Sequence, residues 1–291
     1  LHKAIRRQRQ MCIRDSYNSE RLKYNQMNYN NDVELDNFCS QCLLVINAVG
    51  PSFKINDKIA LHALRNNCHY IDIGGYGILR DLLKPYEKSI EAQKLCFIIG
   101  VGWMPGISGV FSKTIIETHL NSPENTNFNI YYGAVDNWSY SSTYDLAASS
   151  MGKTRSYVYS HGKEIQVSPF RYTHHKFFPF IGHKKICMPS FDEQLTQLAT
   201  SLKQIRKIST FIMLNDYISM GKFMFIKIFY KHNLNKATLM LQDDYQRLVK
   251  KENKWGSVIC QVSKIEPERK IDTFYYCLLY TSPSPRDISG S

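Results

Sequence analysis

Three short stretches of this chain combine glycine and proline with almost no charge. They read Asn47-Ala48-Val49-Gly50-Pro51-Ser52, Ile73-Gly74-Gly75-Tyr76-Gly77 and Gly100-Val101-Gly102-Trp103-Met104-Pro105-Gly106-Ile107-Ser108. Bends this bare let backbone amides approach a flat ring or a phosphate. Asp72 stands just ahead of the second bend, where a carboxylate either orients a ligand or caps the Gly74-Gly75 turn. Tyr76 is a candidate for proton transfer, and no decisive acid-base pair accompanies it. Ser141, Ser142, Thr143 and Ser149 suit either a substrate carboxylate at a helix start or plain capping. The pair Cys39-x-x-Cys42 has zinc-like spacing, but no second pair follows at finger distance, so no metal site is expected. His174-His175, among Tyr172, Phe177 and Phe178, suit an anion or metal site or an exposed strand flank. Lys184-Lys185 and Lys250-Lys251 read as solvated surface.

Bends of this kind need strands behind them, and the pattern from 22 to 119 supplies repeated βα units. The apolar run 43–48 suits a strand buried on both faces. Asn56 can cap the next helix, which places Ile59, Ala60, Ala63 and Leu64 on one side. Strands follow at 69–73 and 95–99, separated by a helix through 86–93, and Pro105-Gly106 introduces a last helix to His119. A shorter strand over 22–29 and a helix near 34–41 come first. A Pro/Asn/Ser linker over 121–127 marks a change of rhythm. Beyond it, 129–135, 156–160 and 164–167 read as strands, the last two joined as an antiparallel pair at His161-Gly162. The stretch 203–230 reads as one or two amphipathic helices broken near Gly221, with Ile205, Ile208, Phe211 and Ile212 on one face. The fold class expected is α/β: a partial doubly wound parallel sheet plus an α+β substrate domain. In such sheets ligands bind outside the carboxyl ends of the strands, where the three bends lie.

Taken in order, Val45-Ile46-Asn47-Ala48-Val49-Gly50-Pro51, His69-Tyr70-Ile71-Asp72-Ile73-Gly74-Gly75 and Gly100 to Ser108 resemble the saccharopine dehydrogenase family in sequence and spacing. The resemblance is firm over 22–119 and weaker through Met151-Gly152-Lys153-Thr154, Phe178 to Gly182 and Trp255-Gly256. It implies an oxidoreductase dependent on NAD or NADP, with a Rossmann-like domain. The reaction it implies passes a hydride between nicotinamide and an imine or secondary amine of an amino-acid-like substrate. On this chain Ala48, Val49, Gly50 and Pro51 would line the nicotinamide-ribose half of the cofactor site. Gly74, Gly75, Pro105 and Gly106 would shape the floor beside the reacting carbon, and Asn30 and Asn31 would sit beside the adenine. One departure is large. The sequence contains no Gly-x-Gly-x-x-Gly, the turn that holds the pyrophosphate. The reading is therefore of a sheet lacking its first βαβ unit, in a chain that binds a dinucleotide poorly.

The ends carry a second peculiarity. The runs 6–16 and 277–287 are what two sequencing-library adapters would encode, so 1–16 and 277–291 are read as adapter-derived. That leaves 17–121 as the partial dinucleotide-binding domain and 122–276 as the substrate domain. The formal charge of +12 falls by four, to +8, without those ends. The remainder is rich in Asn, Lys, Ile and Tyr, residues of AT-rich codons, so nucleotide bias accounts for part of the basic balance. A nucleic-acid binder is accordingly the weaker alternative, behind a non-catalytic protein on the same scaffold. No run of about 18 residues is apolar and uncharged, so no membrane span is expected. Cysteine density is below that of a small secreted scaffold and fits a reducing, cytoplasmic compartment, with a homodimer as the assembly considered.

Overall fold

The computed structural model describes residues 23, 25–74, 77–119, 126–151, 157–161, 163–179, 181–190, 193–201, 205–264 and 271–279. The first part alternates helix and strand: α1 (Asp32–Cys39), β1 (Leu44–Asn47), α2 (Ser52–Ile55), α3 (Lys58–Arg65), β2 (His69–Asp72), α4 (Gly77–Leu83), α5 (Glu87–Ala92), β3 (Phe97–Ile99) and α6 (Ile107–His119). The three strands form a parallel sheet in the order β1-β2-β3, in a register that aligns Asn47, Asp72 and Ile99. Expected strands and helices fall here within a few residues of their sequence-read positions. The expected strand over 22–29 does not form in its described part, where 25–28 have no regular structure and a turn leads into α1.

Alternation along each strand decides which face is covered. Val45 and Tyr70 point toward α1, α3 and α4 and join Leu35, Ile59, Ala63 and Leu79 in one core. Leu44, Ile46 and Ile98 point the other way and are exposed. Among the described residues, helices therefore cover only one face of a sheet type that is normally covered on both. Helix α3 buries the four apolar residues read from its sequence, together with His62, whose Nδ1 lies 2.6 Å from Asp36 Oδ1.

The second part is a mixed eight-stranded sheet of β4 (Thr126–Val135), β5 (Tyr157–Ser160), β6 (Lys163–Gln166), β7 (His174–Phe178), β8 (His183–Pro189), β9 (Lys207–Leu214), β10 (Trp255–Lys264) and β11 (Ile271–Leu279). Its spine runs β11-β10-β4-β9-β5-β6, with β4 and β9 parallel, and β8 extends the other half of the β9 edge and carries β7. Pairing of β10 with β11 continues to Leu279. The remaining helices are α7 (Tyr140–Met151), α8 (Pro169–Tyr172), α9 (Glu193–Ser201), α10 (Tyr217–Phe229) and α11 (Leu234–Val249). Helices α6 and α9 cover one face of the sheet, while α7, α10 and α11 pack on the other.

Two sequence expectations fail in this part. The first half of the stretch 203–230 holds strand β9 where a helix was expected, and α10, in the second half, runs unbroken through Gly221. A strand buried on both faces shows no alternation, so its apolar run satisfies a helical period equally well. Lys185 is not surface: it is 1% exposed, and its Nζ donates to Glu252 Oε2 at 2.8 Å and Asn215 Oδ1 at 2.7 Å. Lys184, its neighbour, is exposed, as are Lys250 and Lys251.

Candidate functional site

The parallel register brings all three bends to one rim. Past the strand ends the ladder continues: Ile73 N donates to Asn47 O at 3.2 Å, and Val101 N donates to Asp72 O at 3.0 Å. Each bend then turns away from the sheet and leaves one apolar side chain exposed. Val49, Ile73 and Val101 are 40%, 45% and 47% exposed. Three exposed aliphatic side chains, one from each bend and set among uncharged backbone, give this rim an apolar character that suits a flat ring.

Beneath the first two bends lies a buried polar network. Asn47 Nδ2 donates to Asp72 Oδ2 at 2.8 Å and to Tyr70 Oη at 3.1 Å, and Tyr70 O–H donates to Asp72 Oδ2 at 2.5 Å. Burial and then the hydrogen bond to Asp72 push the Tyr70 phenol above its ordinary pKa. The same side chains shape the backbone: Asn47 Oδ1 accepts from Val49 N, and Asp72 Oδ1 accepts from Gly74 N at 2.8 Å. Asp72 thus serves the turn it precedes while being buried. Asn47 is its partner from the neighbouring strand. Sequence reasoning placed Asn47 in the first bend without a role, although an amide aligned with a carboxylate across a parallel register was the available signal. A recess of about 20 Å³, lined by Asn47, Asp72, Ser52 and Ile78 among others, separates these bends. It holds roughly one water and no ring.

The third bend closes on itself. Gly102 N donates to Pro105 O, Ile107 N donates to Gly102 O, and Gly106 takes φ +126° with its N–H donating to Gln194 Oε1 at 2.8 Å. Trp103 lies against Gly256 of β10, so this bend also touches the larger sheet. Gly50-Pro51 and Met104-Pro105 are both cis.

Helix α7 reaches the first bend. Ser141 packs against Gly50, where an added Cβ would come within 2.9 Å of Ser141 Cβ. One turn on, Asp145 accepts from Ser52 N at 2.9 Å and from Phe53 N at 3.2 Å. Thr143 and Ser149 make hydrogen bonds within the same helix region, to Ser139 O and Leu146 O. Ser142 pairs with Ser139, so of the four hydroxyl candidates Ser141 is the one that packs against the first bend. Asn31 caps α1 by accepting from Val33 N and Glu34 N, and Asn30 O accepts from Lys58 Nζ, so both lie beside the start of α3. Gly75 and Tyr76 lie outside the described residues. Cys68 Sγ donates to the Cys39 and Cys42 carbonyls, and burial raises the Cys39 thiol to about 11. Among the described residues no three His, Cys, Asp or Glu side chains converge as a metal site. His174 edges onto Tyr131 and Phe211, and His175 is exposed on β7.

No family model and no curated protein sequence matches the chain. Solved structures do. Apo saccharopine dehydrogenase (L-Glu forming) from Saccharomyces cerevisiae superposes with a TM-score of 0.57 at 14% identity, covering 88% of this chain and 75% of that one. A dehydrogenase from Clostridium difficile (TM-score 0.38, 7% identity, 91% and 71% covered) and a meso-dapdh mutant from Clostridium tetani (0.36, 12%, 89% and 73%) overlap more loosely. The first comparison shows a dehydrogenase-like α/β fold, with a parallel three-stranded sheet and a larger mixed sheet.

Proposed function

We propose that this chain belongs to an NAD(P)-dependent oxidoreductase, with the rim over β1, β2 and β3 as the seat of the nicotinamide-ribose end. The observation that carries the reading is the alignment of three uncharged bends at one sheet edge, each offering an exposed aliphatic side chain. Ala48, Val49, Gly50 and Pro51 would flank the ring, and Gly74, Gly75, Pro105 and Gly106 would form the floor. Ser141, which packs against Gly50, would face the substrate. A bound nicotinamide would supply the hydride chemistry, and the chain's own residues would hold the ring and orient it. The resemblance of the three motifs to the saccharopine dehydrogenase family favours an amino-acid-like substrate with a reacting carbon–nitrogen bond. Tyr76, in the second bend, is the residue proposed for proton transfer, and Asp72 positions that bend through Gly74.

Without a Gly-x-Gly-x-x-Gly turn the pyrophosphate has no cradle, and the chain should take a dinucleotide by its nicotinamide end only, with a Kd on the order of millimolar. Saturation-transfer NMR with NADH and NADPH tests this. Nicotinamide protons should receive more saturation than adenine protons, and Gly50→Val, which drives a side chain into Ser141, should remove the effect. Adenine-led contacts, micromolar binding, or an unaltered signal in Gly50→Val would overturn the proposal.

A further inference from the structure

Helix α10 shows solvent a face that a water-exposed helix should not have. Its outward residues are Tyr217, Ile218, Gly221, Phe225, Ile228 and Phe229, and the five large side chains are 39–65% exposed. They recur at three-, four- and seven-residue spacing, hence on one continuous stripe. No charge interrupts it. Ser219, Phe223 and Ile226, on the inner side, are buried against the sheet, so α10 is apolar on both faces. Phe225 and Phe229 pack at a tilt with ring centroids 4.5 Å apart, which gathers the patch without covering it.

The patch continues beyond the helix. Tyr217 Oη lies 2.9 Å from His175 Nε2 on β7, and Phe177, two residues along the same strand face, is 52% exposed. Opposite Phe177 in the β7–β8 ladder stands exposed Lys184. Charge on these three elements has one sign: α10, β7 and β8 contain Lys and His but no Asp or Glu. Exposed Lys231 and His232 follow at the helix end, and exposed Lys236 opens α11. The carboxylates flanking α10 are paired, Asp216 with Arg247, and Asp243 and Asp244 with Lys222.

We infer that this surface docks on an anionic lipid bilayer, with α10 lying in the plane of the interface. An apolar stripe bordered by cations is the pattern of a helix that rests its apolar face among acyl chains while its rim meets acidic headgroups. At 13 residues α10 is about 20 Å long, too short to cross a hydrocarbon core of about 30 Å. A nucleic-acid partner would use the cations and stacked rings but would leave Ile218 and Ile228 without a counterpart. The inference stands apart from the oxidoreductase reading, since none of these residues belongs to the rim.

Sedimentation of the full chain with phosphatidylcholine vesicles, with and without phosphatidylserine, tests it. Partitioning onto the serine-containing vesicles should exceed that onto neutral ones by about tenfold and weaken as salt rises. Ile228→Glu and Phe225→Glu should each lower partitioning at least tenfold, with circular dichroism unchanged because both side chains already face solvent. Lys184→Glu combined with Lys231→Glu should abolish the preference for acidic lipid and leave neutral binding as it was. Absence of vesicle binding, equal binding by the Glu variants, or salt-sensitive binding to RNA instead would overturn the inference. So would a dimer in analytical ultracentrifugation that Ile228→Glu dissociates, since the stripe would then be a seam between copies of this chain.

Discussion

Replacing Gly106 by alanine should damage this protein far more than the addition of one methyl suggests. An added Cβ would stand 2.2 Å from Gly102 O, 2.7 Å from Gly102 N and 2.9 Å from Gly100 O. All three are backbone atoms, so no side chain can rotate away. The residue also sits at φ +126°, which L side chains rarely adopt. Holding a non-glycine residue there costs roughly 1–3 kcal/mol. Overpacking adds roughly 1–3 kcal/mol. The sum, about 2–6 kcal/mol, can be relieved only by moving the bend, which breaks the Gly106 N–H bond to Gln194 and the Ile107 N–H bond to Gly102 O. Gly221→Ala is the matched control, because an added Cβ there meets no atom within 4 Å and the position is inside helix α10. Alanine should stabilise it by about 0.5–1 kcal/mol. Urea unfolding followed by far-ultraviolet circular dichroism measures both, with unchanged m-values required for a direct comparison. If Gly106→Ala falls within about 0.5 kcal/mol of the parent, or if the two substitutions shift stability in the same direction, the packing argument for the third bend is wrong.

Two further outcomes follow from paired charges. Glu252→Ala strands the buried Lys185 ammonium over the Trp255 ring and should cost about 3 kcal/mol, whereas Lys185→Met with Glu252→Leu should lie within about 1 kcal/mol of the parent. A double-mutant cycle in urea decides it, and a near-silent Glu252→Ala would contradict the buried pairing. Asp216 titrates below the ordinary carboxylate range: burial opposes this, but the Arg247 guanidinium and the Ser219 N–H outweigh it. Because its folded pKa is depressed, its stabilisation is present above about pH 4 and drains away as pH falls toward the folded value. Acid unfolding of Asp216→Asn should therefore be flatter below about pH 4 than that of the parent, and superimposable curves would refute the assignment.

How far the sequence could be read depended on how local the determining contacts are. Strands β1, β2 and β3 were legible because each apolar run ends at a glycine-bearing bend, and α3 was legible because Ile59, Ala60, Ala63 and Leu64 share one face. The β5–β6 pair was legible from its turn at 161–162. Strand β9 was not, because partners on both sides and cover on both faces erase the alternation that distinguishes strand from helix. Lys185 was misread for a related reason. Its neighbour Lys184 faces water, but alternation turns Lys185 inward to a glutamate 67 residues away. At the rim, bend composition was visible in advance. The Asn47–Tyr70–Asp72 network was not, since it exists only once β1 and β2 pair in register.

The carboxylate of Asp145 has a consequence for which end of a ligand can come near. A helix start beside a bend is where a negatively charged group would ordinarily be welcomed, by open amides and the helix dipole. Here the amides of Ser52 and Phe53 already hold an acid that the chain provides for itself. A second anion would meet no vacant donor and a like charge instead. The first bend is thereby polarised against phosphate and toward neutral matter, and an elongated molecule carrying both would be turned to enter with its uncharged end. On the proposed reading, one aspartate, contributed by a helix packed on the other sheet, would act as a compass for orientation.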